Sequence, residues 1–339
     1  MIFFLSAMCI LTGISMASTI PFIDKEWELW KLVHGKSYPN LEEDQARRGI
    51  WLDNLEKIDA HNAQYLQGNT MYEMTMNQFG DLTPMEFANL YTDARISEMV
   101  NYTDDALFGF EMEELEEMEE INHLPQEVDW RKMHYVGKVK DQGLCSSCYA
   151  FTAIGALEGQ LAKEKKQLIE LSVQNIIDCS DEYKNFGCRG GLPYRAFQYM
   201  RDHGIESDQS YPYQEKKNDK CLFNNSKSVI KIKGFRRMKK YSEKKLAAVI
   251  RRVGPLSVLI CSAHDSWRFY KSGILDDADC YNKRIDHAVL LIGYVDEHPT
   301  GYWIIKNSWG TSWGERGYIR LVKGKNMCGI THCASYPII

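Results

Sequence analysis

The sequence predicts an α+β protein whose two lobes face each other across a cleft. Three observations lead there. Apolar residues recur at helical spacing before residue 70, a strong proline-free helix starts at Cys148, and short β-rich runs fill the chain after residue 225, separated by Gly and Pro turns. With 339 residues, 44% hydrophobic and 26% charged, the chain holds one large or two modest domains with a real core. That composition excludes disordered and fibrous classes.

The elements follow in order. Met1 to Ala17, MIFFLSAMCILTGISMA, is an apolar run ending in small residues, and it reads as a signal peptide with Ser15-Met16-Ala17 as its cleavage end. No other segment approaches the ~20 apolar residues of a membrane span. FIDKEWELWKLVHG sets Phe22, Trp27, Trp30 and Leu32/Val33 near one helix face, with Gly35 as its stop. From Leu41 to Leu66, Ile50, Trp51, Leu55, Ile58 and Tyr65 recur without a proline, predicting a second, longer helix. Met71 to Pro84 alternates as a short strand closed by a Gly-Asp turn. Residues 111–120, EMEELEEMEE, form an acidic run that reads as a solvated linker or helix face.

A composition shift at His123 to Trp130 marks a domain boundary, giving segments 1–17, 18–123 and 124–339. The charge splits at the same place. Residues 1–123 carry 7 Lys+Arg against 23 Asp+Glu, net −16, and residues 124–339 carry 34 against 23, net +11. Oppositely charged halves attract. Beyond the boundary, CYAFTAIGALEGQLAKEKK lines Ala150, Ile154, Leu157 and Leu161 on one face and gathers lysines at its end. Ser226 to Arg252 holds eleven Lys or Arg, read as a solvated lobe surface. The runs PLSVLIC, HAVLLIGYV, GYWIIKNSW and GYIRLV then read as strands.

Chemistry concentrates in KDQGLCSSCYAF, Lys140 to Phe151. The pair Cys145-x-x-Cys148 suits a metal clip, a redox pair, the ends of two disulfides, or a nucleophile beside a structural cysteine. Neither a second Cys/His pair at zinc spacing nor a thioredoxin-like context accompanies it, so no metal or cofactor is expected. Cys148 falls where a loop becomes a helix, and free N–H groups there bias a thiol toward thiolate. A nucleophilic thiol needs a base, and the base needs an orienter. His287 sits in the apolar run DHAVLLIGY, while Asn307 beside Trp309 offers an amide to fix an imidazole tautomer and an indole to shield it. Gln142 can add a side-chain N–H to the Cys148 N–H as an oxyanion hole.

These residues, Gln142-Gly143-x-Cys145-x-Ser147-Cys148-Tyr149-Ala150-Phe151, then His287, then Asn307-Ser308-Trp309-Gly310, resemble the papain family of cysteine peptidases, nearest its cathepsin L branch. Upstream, Glu43, Arg47, Ile50, Trp51, Asn54, Ile58 and Asn62 are similar to the helix motif of that family's inhibitory propeptide. Asn77, Phe79 and Asp81 resemble its second motif, with Thr75 where glycine is usual.

The resemblance implies a papain-like two-lobed fold, with a helical left lobe and a β-barrel right lobe, preceded by an α-helical propeptide domain that lies reversed in the cleft. It implies a cysteine endopeptidase made as a zymogen, with Cys148, His287, Asn307 and Gln142 catalytic, and a charged Cys148–His287 pair at rest. It pairs Cys145 with Cys188, Cys179 with Cys221 and Cys280 with Cys328, and leaves Cys261 and Cys333 as either a fourth bridge or two free thiols. Gly190, Gly191, Leu192 and Pro193 are expected to carry substrate backbone and one wall of the P2 pocket, with Leu259, Ile285, Ala288 and Cys333 around the rest and Trp309 nearby. An apolar lining with no carboxylate at its floor implies a hydrophobic P2 residue.

Implied partners are protein and peptide substrates, the chain's own propeptide as inhibitor, and cystatin-like inhibitors. No nucleic acid is implied, and the expected state is a monomer. The implied location is the secretory pathway, in a lysosome or outside the cell. Asn101 and Asn224 are glycosylation acceptors on that route. Ser146 stands where the family has Gly, and Tyr149 where it has Trp. These departures raise the alternative of a catalytically weak homologue acting as a binding protein.

Overall fold

The computed structural model describes residues 13–93, 96, 99, 124–239, 241–280 and 284–339, with side chains from Ile23 onward except that of Lys239. Asn101, the 111–120 run and the expected signal peptide up to residue 12 lie outside the described residues. Among those described, no helix is long and apolar enough to cross a membrane.

Two helices open the chain, α1 (Gly13–Val33) and α2 (Leu41–Leu66). Asn40 accepts the Glu43 N–H to start α2, and Glu42, Glu43 and Asp44 fill its first turn, where the helix dipole favours anions. The two helices meet through aromatic rings. Trp27 and Trp30 stack at 5.2 Å and both tilt against Trp51. Leu32 and Val33, expected on that face, are 78% and 68% exposed. Five and six residues past Trp27 at 100° per residue, they have turned away from Trp51. The inward stripe of α2 is Trp51, Asn54 and Ile58, a polar residue between two apolar ones.

After α2 the chain forms β1 (Tyr72–Met74) and then α3 (Pro84–Tyr91). Thr83 and Glu86 make a reciprocal capping box with Pro84 at the first turn, which is why so short a helix starts cleanly. Asp81 ties this region to the first two helices. Its carboxylate accepts from Lys36 at 2.8 Å and Tyr38 at 2.9 Å, and its carbonyl accepts from Arg47 at 3.1 Å.

The helical lobe is built on α4 (Cys148–Lys165), buried along most of its length, with α5 (Val173–Cys179) and α6 (Pro193–Asp202) packed around it. The second lobe is a nine-stranded sheet. Its strands are β1, β2 (Glu127–Asp129), β5 (Gly234–Lys239), β6 (Leu256–Ile260), β7 (Tyr270–Leu275), β8 (His287–Val295), β9 (Tyr302–Lys306), β10 (Tyr318–Val322) and β11 (Cys333–Ile338), while β3 (Ile205–Glu206) and β4 (Ser228–Ile230) pair separately. The order is β1-β7-β10-β9-β8-β6-β11-β5, with β2 on β8. Among the described strands no pairing joins its two ends, so the sheet is an open path rather than a closed ring.

Two features of this sheet position the site. Antiparallel β6 and β8 set Ile260 opposite His287 and Leu259 opposite Ala288. The N-terminal strand β1 adds to the edge of β7, with Tyr72 opposite Gly273. Gly273 has φ +102°, and a Cβ there meets the Met71 carbonyl oxygen at 2.3 Å, so only glycine lets the N-terminal strand come this close.

Candidate active site

Cys148 is the first residue of α4, after Ser147 at the N-cap. The loop before it is tied down by the Cys145–Cys188 disulfide and by the Ser146 N–H, which donates to the Cys188 carbonyl at 3.1 Å. Cys179–Cys221 and Cys280–Cys328 are also bridged. Cys148 and Cys333 carry no disulfide and are buried, as is Cys261, whose Sγ lies 3.1 Å from His264 Nε2. Gln142 is fully buried; its Oε1 accepts from the Ser308 hydroxyl at 2.7 Å, which turns its Nε2 to the loop, where it donates to the Cys145 carbonyl at 3.3 Å. Tyr149 is also buried, its hydroxyl donating to the Gly187 carbonyl at 3.3 Å.

His287 begins β8, and Asn307 follows β9 directly. His287 Nε2 lies 2.8 Å from Asn307 Oδ1, which also accepts the Ser308 N–H at 2.8 Å. An amide oxygen cannot donate, so the proton is on Nε2 and the Nδ1 lone pair is free. Nδ1 is buried with no hydrogen-bond partner, the signature of a base held for use rather than a satisfied core histidine. Trp309 stacks on the imidazole at 4.8 Å and 22°. The Ala288 and Tyr149 backbone N–H groups are close enough to the Cys148 thiol to favour its anion, so it sits beside the residue that follows His287.

The N-terminal segment covers this constellation. Asn77 Nδ2 donates to the Arg268 carbonyl at 2.6 Å and Gln78 Nε2 to the Trp309 carbonyl at 3.0 Å. Phe79 and Phe87 set their ring edges against Trp309 at 5.6 and 5.3 Å. The Asp93 N–H then donates to the Asp286 carbonyl at 2.7 Å, next to His287.

That cover decides the charge state. Burial pushes the Cys148 thiol up to about 12, with the Asp93 and Asp286 charges adding to it and the two N–H groups opposing. Burial pushes His287 down to about 4 against the support of Asn307. A change from an ordinary 9.0 to about 12 is worth roughly 4 kcal/mol, beyond the ~0.3–2 kcal/mol that a helix end supplies. Under the cover, burial therefore opposes the thiolate bias of the helix terminus and favours the neutral forms of Cys148 and His287, whereas the charged pair that the resemblance implies belongs to the uncovered site.

Leu192, Leu259, Ile285, Ala288 and Cys333 are all buried in the large apolar core that also holds Cys148 and much of α4, and Ile96 of the N-terminal segment is buried in the same core. Gly190, at φ +98°, and Gly191 precede Leu192, and Pro193 opens α6. A Cβ on Gly191 meets the Asn185 side chain at 2.3 Å and the Tyr149 ring at 3.0 Å. Asn224 is exposed, and its Oδ1 accepts from the Ser226 N–H at 3.0 Å.

Four participants were not foreseen: Asp286, Ile96, Arg195 and the wholly buried Arg268. Asp286 has a local signal, being adjacent to His287. Its carboxylate accepts from the Ser262 N–H at 2.8 Å, the Ser262 hydroxyl at 3.0 Å and the Ala263 N–H at 3.3 Å, while burial pushes it up to about 6. The other three carry no periodic or motif signal.

Comparison with known proteins gives two domain matches. Residues 124–338 match the papain family cysteine protease model, and residues 27–87 match the cathepsin propeptide inhibitor domain (I29). The chain is 42% identical to cathepsin K of Mus musculus over 317 residues, covering 93% of each chain. It is 37% identical to cathepsin L1 of Drosophila melanogaster over 338 residues, 97% of this chain and 90% of that one. Among solved structures, digestive procathepsin L 3 from the larval midgut of Tenebrio molitor superposes with TM-score 0.79 at 38% identity, over 94% of this chain and 99% of that one. Procathepsin L2 from the same tissue gives TM-score 0.85 at 31% identity, over 94% and 100%.

Proposed function

The chain belongs to the papain family of cysteine proteases and carries a cathepsin-type inhibitor domain ahead of its peptidase domain; from that premise we propose an endopeptidase that acts through a Cys148 thioester once its propeptide is removed. The observation that carries this reading is the His287 geometry, with Nε2 on Asn307 and Nδ1 buried and unpaired, next to Ala288, whose backbone N–H favours the Cys148 thiolate. We assign residues 1–17 to the signal peptide, 18–123 to the propeptide and 124–339 to the mature enzyme. The proposed route is the secretory pathway, with action as a monomer in the lysosome or outside the cell.

Release of the propeptide lets water reach the pair, and the thiol proton passes from Cys148 Sγ to His287 Nδ1. The thiolate attacks the substrate carbonyl carbon. The oxyanion takes hydrogen bonds from Gln142 Nε2 and the Cys148 N–H. His287 returns its proton to the leaving nitrogen, the C–N bond breaks, and an acyl thioester remains on Cys148. Water then gives a proton to His287 and attacks the thioester carbon, freeing the acid and restoring the thiol.

The apolar cluster around Leu192, Leu259, Ile285, Ala288 and Cys333 supports a hydrophobic P2 side chain, and the burial of Ile96 in it supports a branched aliphatic one. The test is hydrolysis of peptides with P2 Leu or P2 Arg by the processed enzyme, beside a processed Cys148→Ser variant. The expected result is cleavage of the P2 Leu peptide that vanishes in the variant. A variant that still cleaves removes Cys148 from the mechanism, and faster cleavage with P2 Arg removes the apolar pocket.

A further inference from the structure

Arg195 lies in the first turn of α6, two residues after Pro193, and is only 7% exposed. Its Nη1 donates to the Lys184 carbonyl at 2.8 Å and to the thioether sulfur of Met99 at 3.3 Å, and its guanidinium carbon is 5.8 Å from the centre of the Tyr194 ring. Among the described residues no carboxylate pairs with it. The nearby acids Asp181 and Asp202 are engaged elsewhere, Asp181 with Lys217 and Asp202 with Arg201 and the Tyr183 hydroxyl. A nearly buried guanidinium calls for a charged or strong acceptor, and a thioether is a weak one.

Met99 is a tenant of the cleft. The N-terminal segment reaches the site at Asp93, hydrogen-bonded beside His287; it then buries Ile96 in the apolar cluster, and arrives at Arg195 with Met99. Released with that segment, Met99 takes away the acceptor that Arg195 faces across the cleft. The Lys184 carbonyl stays, because Lys184 belongs to the same lobe, and it holds the guanidinium in place.

We propose that Arg195 is a specificity-determining residue that reads a substrate carboxylate, a Glu or Asp one position N-terminal to the hydrophobic P2 residue. The inference rests on the peptidase reading above and names part of its substrate class. The carboxylate takes the position of the Met99 sulfur and turns a weak hydrogen bond into a charge-assisted one. Exposed Lys184 and Arg189 are balanced by exposed Asp181 and Glu182 on the same turn, so the reading rests on the Arg195 guanidinium itself.

The test uses precursor folded whole and then processed, with peptides that carry P2 Leu and differ only in Glu, Gln or Lys at P3. The wild-type enzyme is expected to favour Glu over Gln by at least about fivefold in kcat/KM, and Glu over Lys by more, with the preference shrinking as salt rises. Arg195→Gln brings the Glu-to-Gln ratio to about 1, and Arg195→Glu makes Lys the better P3 residue. A wild-type ratio within twofold of unity, or a ratio unchanged in Arg195→Gln, overturns the proposal. If the Gln peptide is cleaved with its P2 preference but the P3 ratio is flat, only the role of Arg195 falls. If no peptide is cleaved, binding of the Glu and Gln peptides to the processed protein by calorimetry reads the same ratio without turnover.

Discussion

Arg268 Nη2 lies 2.8 Å from Asn54 Oδ1, joining a side chain of the peptidase domain to one from the middle of the propeptide helix α2. The guanidinium is completely buried. It also donates to the Leu82 carbonyl at 2.8 Å and pairs with Asp265, while stacking on the Phe269 ring at 4.2 Å. Two of its acceptors therefore leave with the propeptide. Asn54 is bound from its other end as well, since Nδ2 donates to the Gly80 and Leu82 carbonyls. Replacing Asn54 with Ala leaves a buried cation and two carbonyls short of partners, a loss of ~2–3 kcal/mol. The expected outcome is inhibition by the propeptide about fiftyfold weaker, measured as the inhibition constant of the released segment against the processed enzyme. An unchanged constant would show that the Arg268 contact contributes nothing net.

Acid should open the precursor through His287. In the closed state this imidazole is held down to about 4, and once exposed it titrates near its ordinary 6.5. Between pH 6.5 and 4 only the open state takes up the proton, so the closed state loses stability as pH falls, by up to roughly 3 kcal/mol. Cys148 destabilises the closed state at the alkaline end, because burial pushes its thiol up to about 12 there while the helix terminus favours its ionisation once the cover leaves. Asp286 has the opposite sign, but its carboxylate is held by Ser262 and Ala263 of its own lobe, so that burial does not leave with the propeptide. A Cys148→Ala precursor nicked at the domain junction isolates the histidine part. Dissociation of its propeptide is expected to rise more than tenfold from pH 6.5 to 4.5, and most of that rise should disappear when His287→Gln is added. Identical profiles in the two proteins would sink the assignment.

Why some of this was legible and some was not follows from how far apart the partners are. Helix α2 runs over the predicted Leu41–Leu66 because a side-chain cap at Asn40 and a sustained period are both local. Helix α4 starts at Cys148 as predicted, and the β runs near 256, 287, 302 and 318 are strands. Cys148, His287 and Asn307 could be chosen because thiol, imidazole and amide are the right chemical types in the right local settings. The exposed face of α1 was misjudged, since Leu32 and Val33 extend an apolar run that only Trp51, on another helix, divides into inside and outside. Arg268 and Arg195 were missed because their partners lie 214 and 96 residues away. The burial that opposes ionisation of Cys148 was not legible for a related reason. Helix-end electrostatics is local, whereas the burial that outweighs it is imposed by a distant segment.

Three buried cysteines provide a direct check on the cover. Cys148, Cys261 and Cys333 are all buried in the precursor, and Cys261 Sγ lies 3.1 Å from His264 Nε2. A water-soluble alkylating reagent should leave the native precursor unmodified over the time in which the processed enzyme loses its Cys148 thiol. Denatured without reduction, residues 124–339 should take up three labels, read by intact mass. A single label would mean that Cys261 and Cys333 are bridged, and rapid labelling of Cys148 in the native precursor would mean that the propeptide does not close the site.

Asn307 does two things through one oxygen, and they can be separated. Oδ1 fixes the His287 tautomer from one side and accepts the Ser308 N–H from the other, which places Ser308 to anchor Gln142. Asn307→Ala removes both, so His287 is free to carry its proton on Nδ1, where it can no longer accept one from Cys148. A loss of about a hundredfold in kcat with a much smaller change in KM is expected, because the orienter acts on the base and not on the substrate. Ser308→Ala leaves the His287 contact intact and loosens only Gln142, so its loss should be smaller and should fall on both acylation and deacylation, each of which forms an oxyanion. If Asn307→Ala and Ser308→Ala lower kcat equally, the tautomer argument fails and the amide serves chiefly to hold the oxyanion donor.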